Sequence, residues 1–172
     1  MKKKLLLIFI LAQVIYLAAY SQEKSKKQQK EEEQAQKKMQ IENLVNSKNF
    51  VFKARYAFPM GARQIDLTSN PNYVKFNPDL MDGYMPYFGT ATAGIGLSGD
   101  ATIKFKDKPD KFNIEEKKKN FQVDAEVKGV NDVYRISLTV TFSGSSSMTV
   151  TSNHRGTISY QGEIYPGESI KY

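Results

Sequence analysis

The chain has 172 residues, no cysteine, no tryptophan, a single histidine and a formal charge of +7. Without cysteine it can build neither a disulfide framework nor a thiolate metal site, so the fold must rest on burial alone. Ten tyrosines and ten phenylalanines supply ample material for that burial.

Three lysines, Lys2, Lys3 and Lys4, precede an apolar run from Leu5 to Ala19 that only Gln13 interrupts, and small residues stand at Ala19 and Ser21. A charged head, a greasy middle and a small-residue cleavage site predict a secretory signal peptide over residues 1–21. The apolar run falls short of the ~20 residues a spanning helix needs, which favours cleavage over anchoring and leaves no stable membrane span afterwards. Removing 21 of 172 residues leaves 151, enough for one domain, and losing three lysines lowers the charge from +7 to +4. The expected location is periplasmic or secreted. Part of the apparent basicity belongs to the discarded segment, and no nucleic-acid partner is expected of an exported protein.

Residues 22–47 read as a polar helical arm. Lys, Glu and Gln dominate it, and Glu33 stands four residues before Lys37, a pairing that supports a solvated helix. Apolar residues at helical spacing appear only at Ile41, Leu44 and Val45. The expectation is a solvated stretch from Gln22 to about Met39 and a docking segment from Gln40 to Ser47. Missing heptad positions argue against a coiled coil.

Residues 48–172 read as a single β domain. Phe50, Phe52, Ala54, Tyr56 and Phe58 alternate with more polar neighbours, predicting one greasy strand face that ends at the turn Pro59-Met60-Gly61. Tyr73, Val74 and Phe76 suggest a short strand. Inward rows follow at Ala101, Ile103 and Phe105, at Phe112, Ile114 and Glu116, and at Phe121, Val123, Ala125 and Val127. Further rows are Tyr134, Ile136, Leu138, Val140 and Phe142, then Met148 and Val150, then Ile158, Tyr160, Gly162 and Ile164. Short turns between such strands favour antiparallel hairpins, and no crossover helix is available. The predicted fold class is all-β: an antiparallel meander forming a sandwich or partial barrel, preceded by a polar N-terminal helix. Pro86 cannot donate to a ladder, so the segment around it is predicted to be an edge strand or a shaped loop.

That segment also carries a resemblance. Tyr84, Pro86, Tyr87, Phe88 and Gly89, with Met85 in the place of a leucine, resemble the Tyr-Leu-Pro-Tyr-Phe-Gly signature of domain-of-unknown-function family 4251. Ala57, Pro59, Gly61 and Arg63 are similar to its early turn. Asp132, Tyr134, Leu138, Val140 and Gly144 resemble its hairpin, and Arg155, Ile158, Tyr160, Gly162 and Ile164 its closing strand. The likeness spans roughly Phe50 to Ile164. It implies an exported bacterial protein of unassigned activity. Many relatives carry a lipoprotein cysteine after the leader; this chain does not, which implies a soluble form.

Catalytic chemistry finds little footing. The lone histidine, His154, lies in a predicted turn, and no Gly-x-Ser-x-Gly elbow is present. Zinc ligands are lacking in number, and Asp107 and Asp110 flank Pro109 without an EF-hand pattern. Glu115 and Glu116 are adjacent and would point to opposite faces of a strand. The lysines at 117–119 read as a solvated hairpin tip. No catalytic residue, cofactor or metal is therefore expected.

The aromatic segment Tyr84, Tyr87 and Phe88 has two readings: a plug for an open end of the β core, which is favoured, or a recognition surface. If a pocket exists, these three line it, with Arg63 and Arg155 as polar partners. The expected function is a non-catalytic binding module of the cell envelope, its partner an unknown envelope component or small ligand. The alternatives are a carboxylate-dependent hydrolase of envelope or dietary polymers, acting through residues such as Glu116, and a structural partner in an envelope assembly. Two acids facing each other in a concave site would favour the hydrolase.

Overall fold

A computed structural model describes residues 26–89, 102–130 and 132–167. The expected leader, the start of the arm and the Gly- and Ala-rich run at 90–101 lie outside the described residues. Two compact units divide at Lys37 and Lys38. The first is described from residue 26 and is helical and fully exposed, as its Lys-Glu-Gln composition leads one to expect.

The second unit begins with helical residues 38–46, the end of α1 (residues 26–46). Val45 is fully buried, and Ile41 and Leu44 pack against the core. Docking starts at Lys38, slightly earlier than the apolar spacing indicates. The Lys38 ammonium lies 4.2 Å from the centre of the Phe142 ring and 3.8 Å from Glu116.

Among the described residues ten strands follow: β1 (Phe50–Pro59), β2 (Ile65–Asp66), β3 (Tyr73–Phe76), β4 (Met81–Pro86), β5 (Thr102–Asp107), β6 (Lys111–Glu116), β7 (Asn120–Lys128), β8 (Val133–Thr141), β9 (Ser145–Ser152) and β10 (Ile158–Pro166). All pairs are antiparallel, in the order β5-β4-β3-β1-β10-β9-β8-β7-β6, with β2 attached to β1. The sheet curls into a half-barrel. Its two ends approach where Phe105 bridges Gly129, just past β7. The β7–β10 meander appears as predicted, and the curl settles the alternative of sandwich or partial barrel.

The inward rows on β5, β7, β8 and β9 are buried as read from two-residue alternation. One end of the core is filled by Phe50 stacked on Phe76, with ring centres 5.0 Å apart, and by Phe121 edge-on to Phe142 at 5.5 Å. Residues 38–46 cover this end.

Two expectations need correction. On β1, Phe50, Phe52 and Ala54 point inward, but Ala57 and Pro59 then replace Tyr56 and Phe58 as the buried residues. The cause is a β-bulge: Ala54 pairs with Gly162 and Tyr56 with Gln161, so Arg55 has no partner on β10 and the phase slips by one. Asn72 pins the bulge. It is 4% exposed, accepts the Ala54 N–H at 2.6 Å, and donates to the carbonyls of Leu67 and Asn70. Gly162 permits it, because a Cβ there would overlap the Lys53 carbonyl oxygen. The second correction concerns β4, which lies between β3 and β5 and is neither an edge strand nor a loop. Pro86 is tolerated because it is the last residue of the strand, opposite the first residue of β5.

Candidate functional site: a sealed end and an outer groove

The residues nominated from sequence do not form one pocket. Tyr87 follows β4 on the inward row and is 3% exposed. Its hydroxyl donates to the Gly156 carbonyl at 3.2 Å, and the Tyr160 hydroxyl donates to the Pro86 carbonyl at 2.8 Å. β3 and β1 stand between β4 and β10 in the sheet, so these two bonds cross the barrel interior and tie its walls together. The Arg155 guanidinium lies 5.2 Å from the Tyr87 ring centre and also acts on the Tyr134 hydroxyl. Tyr87 and Arg155 therefore meet, at the end of the barrel opposite residues 38–46.

The others lie elsewhere. Tyr84 points to the outer face, where Lys104 sits 5.3 Å from its ring centre. Phe88 is 40% exposed just beyond the latch. Arg63 is exposed in the turn after β1. Burial raises the phenol pKa of Tyr87, of Tyr134 and, most strongly, of Tyr160 above the ordinary tyrosine value. Neutral rings with their hydroxyls bonded to backbone carbonyls are what a seal requires. Asp132 belongs to the same end; its Oδ1 accepts the N–H groups of Val133 and Asn153, which holds the β8 start against the turn after β9. Among the described residues, its Oδ2 and the Arg155 Nε have no hydrogen-bond partner, and bound water is the usual complement of such atoms.

The carboxylates weighed from the sequence are spread out. Glu116 meets Lys38 at the end of β6, and Glu115 lies 3.9 Å from Lys117. Asp110 pairs with Lys128 at 3.1 Å, in the turn predicted for it. Among the described residues no cluster of three or more metal-ligating side chains occurs, and no helix is long and apolar enough to cross a membrane.

A groove of about 870 Å³ lies on the outer face of β1, β10, β9 and β8, walled on one side by residues 67–72. Two rows of side chains cross its floor. Thr139, Ser147, Gln161 and Tyr56 face one another in register across four strands. Ser145, Glu163 and Lys53 form the second row, extended by Thr141, whose hydroxyl bonds the Ser145 carbonyl at 2.9 Å. Adjacent strands are ~4.8 Å apart, so polar groups recur at that interval along each row. Arg55, expelled by the bulge, stands between the β1 ends of the two rows, with its guanidinium 5.8 Å from the Tyr56 ring centre. Tyr165 forms part of the rim and is 40% exposed; its hydroxyl donates to Glu163 at 3.3 Å. Glu163 is the one carboxylate among the described lining residues.

Sequence reasoning missed this groove because outward residues of a half-buried strand read as solvated. The available signal was Gly162, a glycine inside a strand pattern, which marks a bulge or a close backbone approach.

Comparison with known proteins agrees with this architecture. A crystal structure of a DUF4251 family protein from Bacteroides eggerthii DSM 20697 superposes with a TM-score of 0.63 at 17% identity, over 81% of this chain and 99% of that one. At that identity the likeness speaks for the fold alone. No curated protein matches the chain. The family model described as domain of unknown function (DUF4251) matches residues 32–164, spanning most of α1 and the half-barrel up to Ile164 of β10, and the chain belongs to that family.

Proposed function

We propose that this protein is an exported, non-catalytic binding module of the cell envelope and that its ligand lies along the outer groove. The observation that carries the reading is the contrast in polar satisfaction between the two regions. At the latch, the Tyr87 and Tyr160 hydroxyls are spent on backbone carbonyls. In the groove, Arg55 and Lys53 are exposed and make no ion pair within 4 Å among the described residues, Asp66 and Glu163 being their nearest acids, and the exposed Ser145, Ser147 and Gln161 side chains stand on central strands. A single lining carboxylate does not supply the acid pair that glycoside hydrolysis uses. The lysine head, apolar run and small-residue cleavage site of residues 1–21 support export.

The test is affinity electrophoresis of the mature protein through gels containing envelope polysaccharide, with Ser147→Trp as the groove-filling variant. Retardation of the parent and free migration of the variant are expected. Equal retardation of both would move the ligand off the groove. N-terminal sequencing of exported material should begin near Gln22, and recovery of intact Met1 would overturn export by cleavage.

A further inference from the structure

We propose that the groove takes a largely neutral oligosaccharide bearing an isolated carboxylate on one sugar, with Arg55 holding that carboxylate. This rests on the reading of the groove as the binding face and adds to it the chemical class of the ligand.

Four features select this class. The two cross-strand rows present hydroxyls, an amide and one carboxylate at intervals of ~4.8 Å over four strands. Hydroxyl and amide groups along them both donate and accept, which suits a chain whose own hydroxyls do the same. Tyr56 and Tyr165 offer ring area for the apolar faces of sugars. The positive charge is confined to one end, where Arg55 and Lys53 stand on β1, and Arg55 presents the planar fork that grips a carboxylate through two parallel bonds.

Other ligands fit less well. Glu163 sits within the second row, so a polymer with a negative charge on every unit meets repulsion there. A peptide strand finds no free ladder, because β1, β10, β9 and β8 are each paired on both sides. Glu163 faces Lys53 across the β1–β10 pair without a contact within 4 Å and accepts from the Tyr165 hydroxyl, which leaves it lone pairs for sugar hydroxyls.

Calorimetric titration of the mature protein separates these cases. The probes are β-1,4- and α-1,4-linked glucose tetramers, each tetramer with one terminal ring oxidised to the uronic acid, a galacturonate tetramer and a tetraglutamate peptide. The expected result is that one mono-acid tetramer binds about 10-fold or more tightly than its neutral parent, as one charge-assisted contact allows. It should also bind tighter than the galacturonate tetramer, and tetraglutamate should not bind. Arg55→Gln should erase the mono-acid advantage, so that the neutral and mono-acid tetramers bind the variant equally; Arg55→Lys should restore only part of it. Arg55 is exposed, so both variants should fold, and their melting curves check this. Equal affinity for neutral and mono-acid tetramers would overturn the carboxylate assignment and leave the groove reading intact. Tightest binding of galacturonate, or binding of tetraglutamate, would reduce the site to plain charge attraction and overturn the saccharide class. No binding by any probe, or binding insensitive to Ser147→Trp, would remove the groove reading and this inference together.

Discussion

The sealed end and the outer groove share strand β10 and use it in opposite ways. Up to Tyr160 its inward side chains close the barrel; from Gln161 to Tyr165 its outward side chains line an open surface. At the seal, aromatic residues are abundant, buried and bonded to backbone carbonyls. In the groove, aromatics stand at the margins of exposed Ser and Gln side chains. A cluster of tyrosines therefore marks closure when its hydroxyls are spent internally. Capacity to bind follows from polar groups held rigid and left open.

Breaking the seal should cost most. Tyr87→Ala removes a buried ring and the Gly156 bond, an expected loss of about 3–5 kcal/mol that thermal unfolding would register. Unchanged melting with lost ligand binding would instead make Tyr87 a site residue. Gly162→Ala forces a Cβ against the Lys53 carbonyl, and a loss of about 1–3 kcal/mol is expected in denaturant titration. Because Gly162 underlies the bulge, this variant should also weaken groove binding, the one substitution expected to damage both properties. Tyr160→Phe keeps the ring and loses one 2.8 Å bond, at about 1 kcal/mol.

The seal also predicts a pH response. Burial raises the Tyr160, Tyr87 and Tyr134 phenols above their unfolded value, so the folded state favours the neutral form. Stability should be level below the unfolded pKa of about 10 and fall as pH rises beyond it, since the unfolded chain releases its phenolic protons first. Urea midpoints between pH 8 and 11.5 measure this, and Tyr160→Phe should flatten the decline. The smallest effect is expected in the groove: Ser147→Trp should shift stability by no more than about 0.5 kcal/mol while abolishing binding.

Much of the barrel was legible because burial on one sheet face leaves a period of two in the sequence. Phe121 to Val127 and Tyr134 to Val140 are clean cases. The reading failed where a backbone irregularity intervened. Tyr56 and Phe58 were misplaced because the bulge depends on Asn72 and Gly162, residues 18 and 108 positions away from Ala54. β4 was misjudged because Pro86 was weighed as though it lay inside the strand, when it closes it. Of the nominated site, Tyr87 and Arg155 do meet, while Tyr84 projects from the opposite face by the same two-residue rule that identified the strand. The groove was illegible because it is assembled across four strands, and cross-strand register is not written in any one of them.

Amide chemical-shift mapping with the mono-acid tetramers tests the central claim most directly. The account predicts perturbations at Arg55, Tyr56, Ser147, Gln161 and Tyr165, with Tyr87, Gly156 and Tyr160 unmoved. Shifts concentrated at Tyr87, Arg155 and Tyr160, with the groove silent, would contradict it.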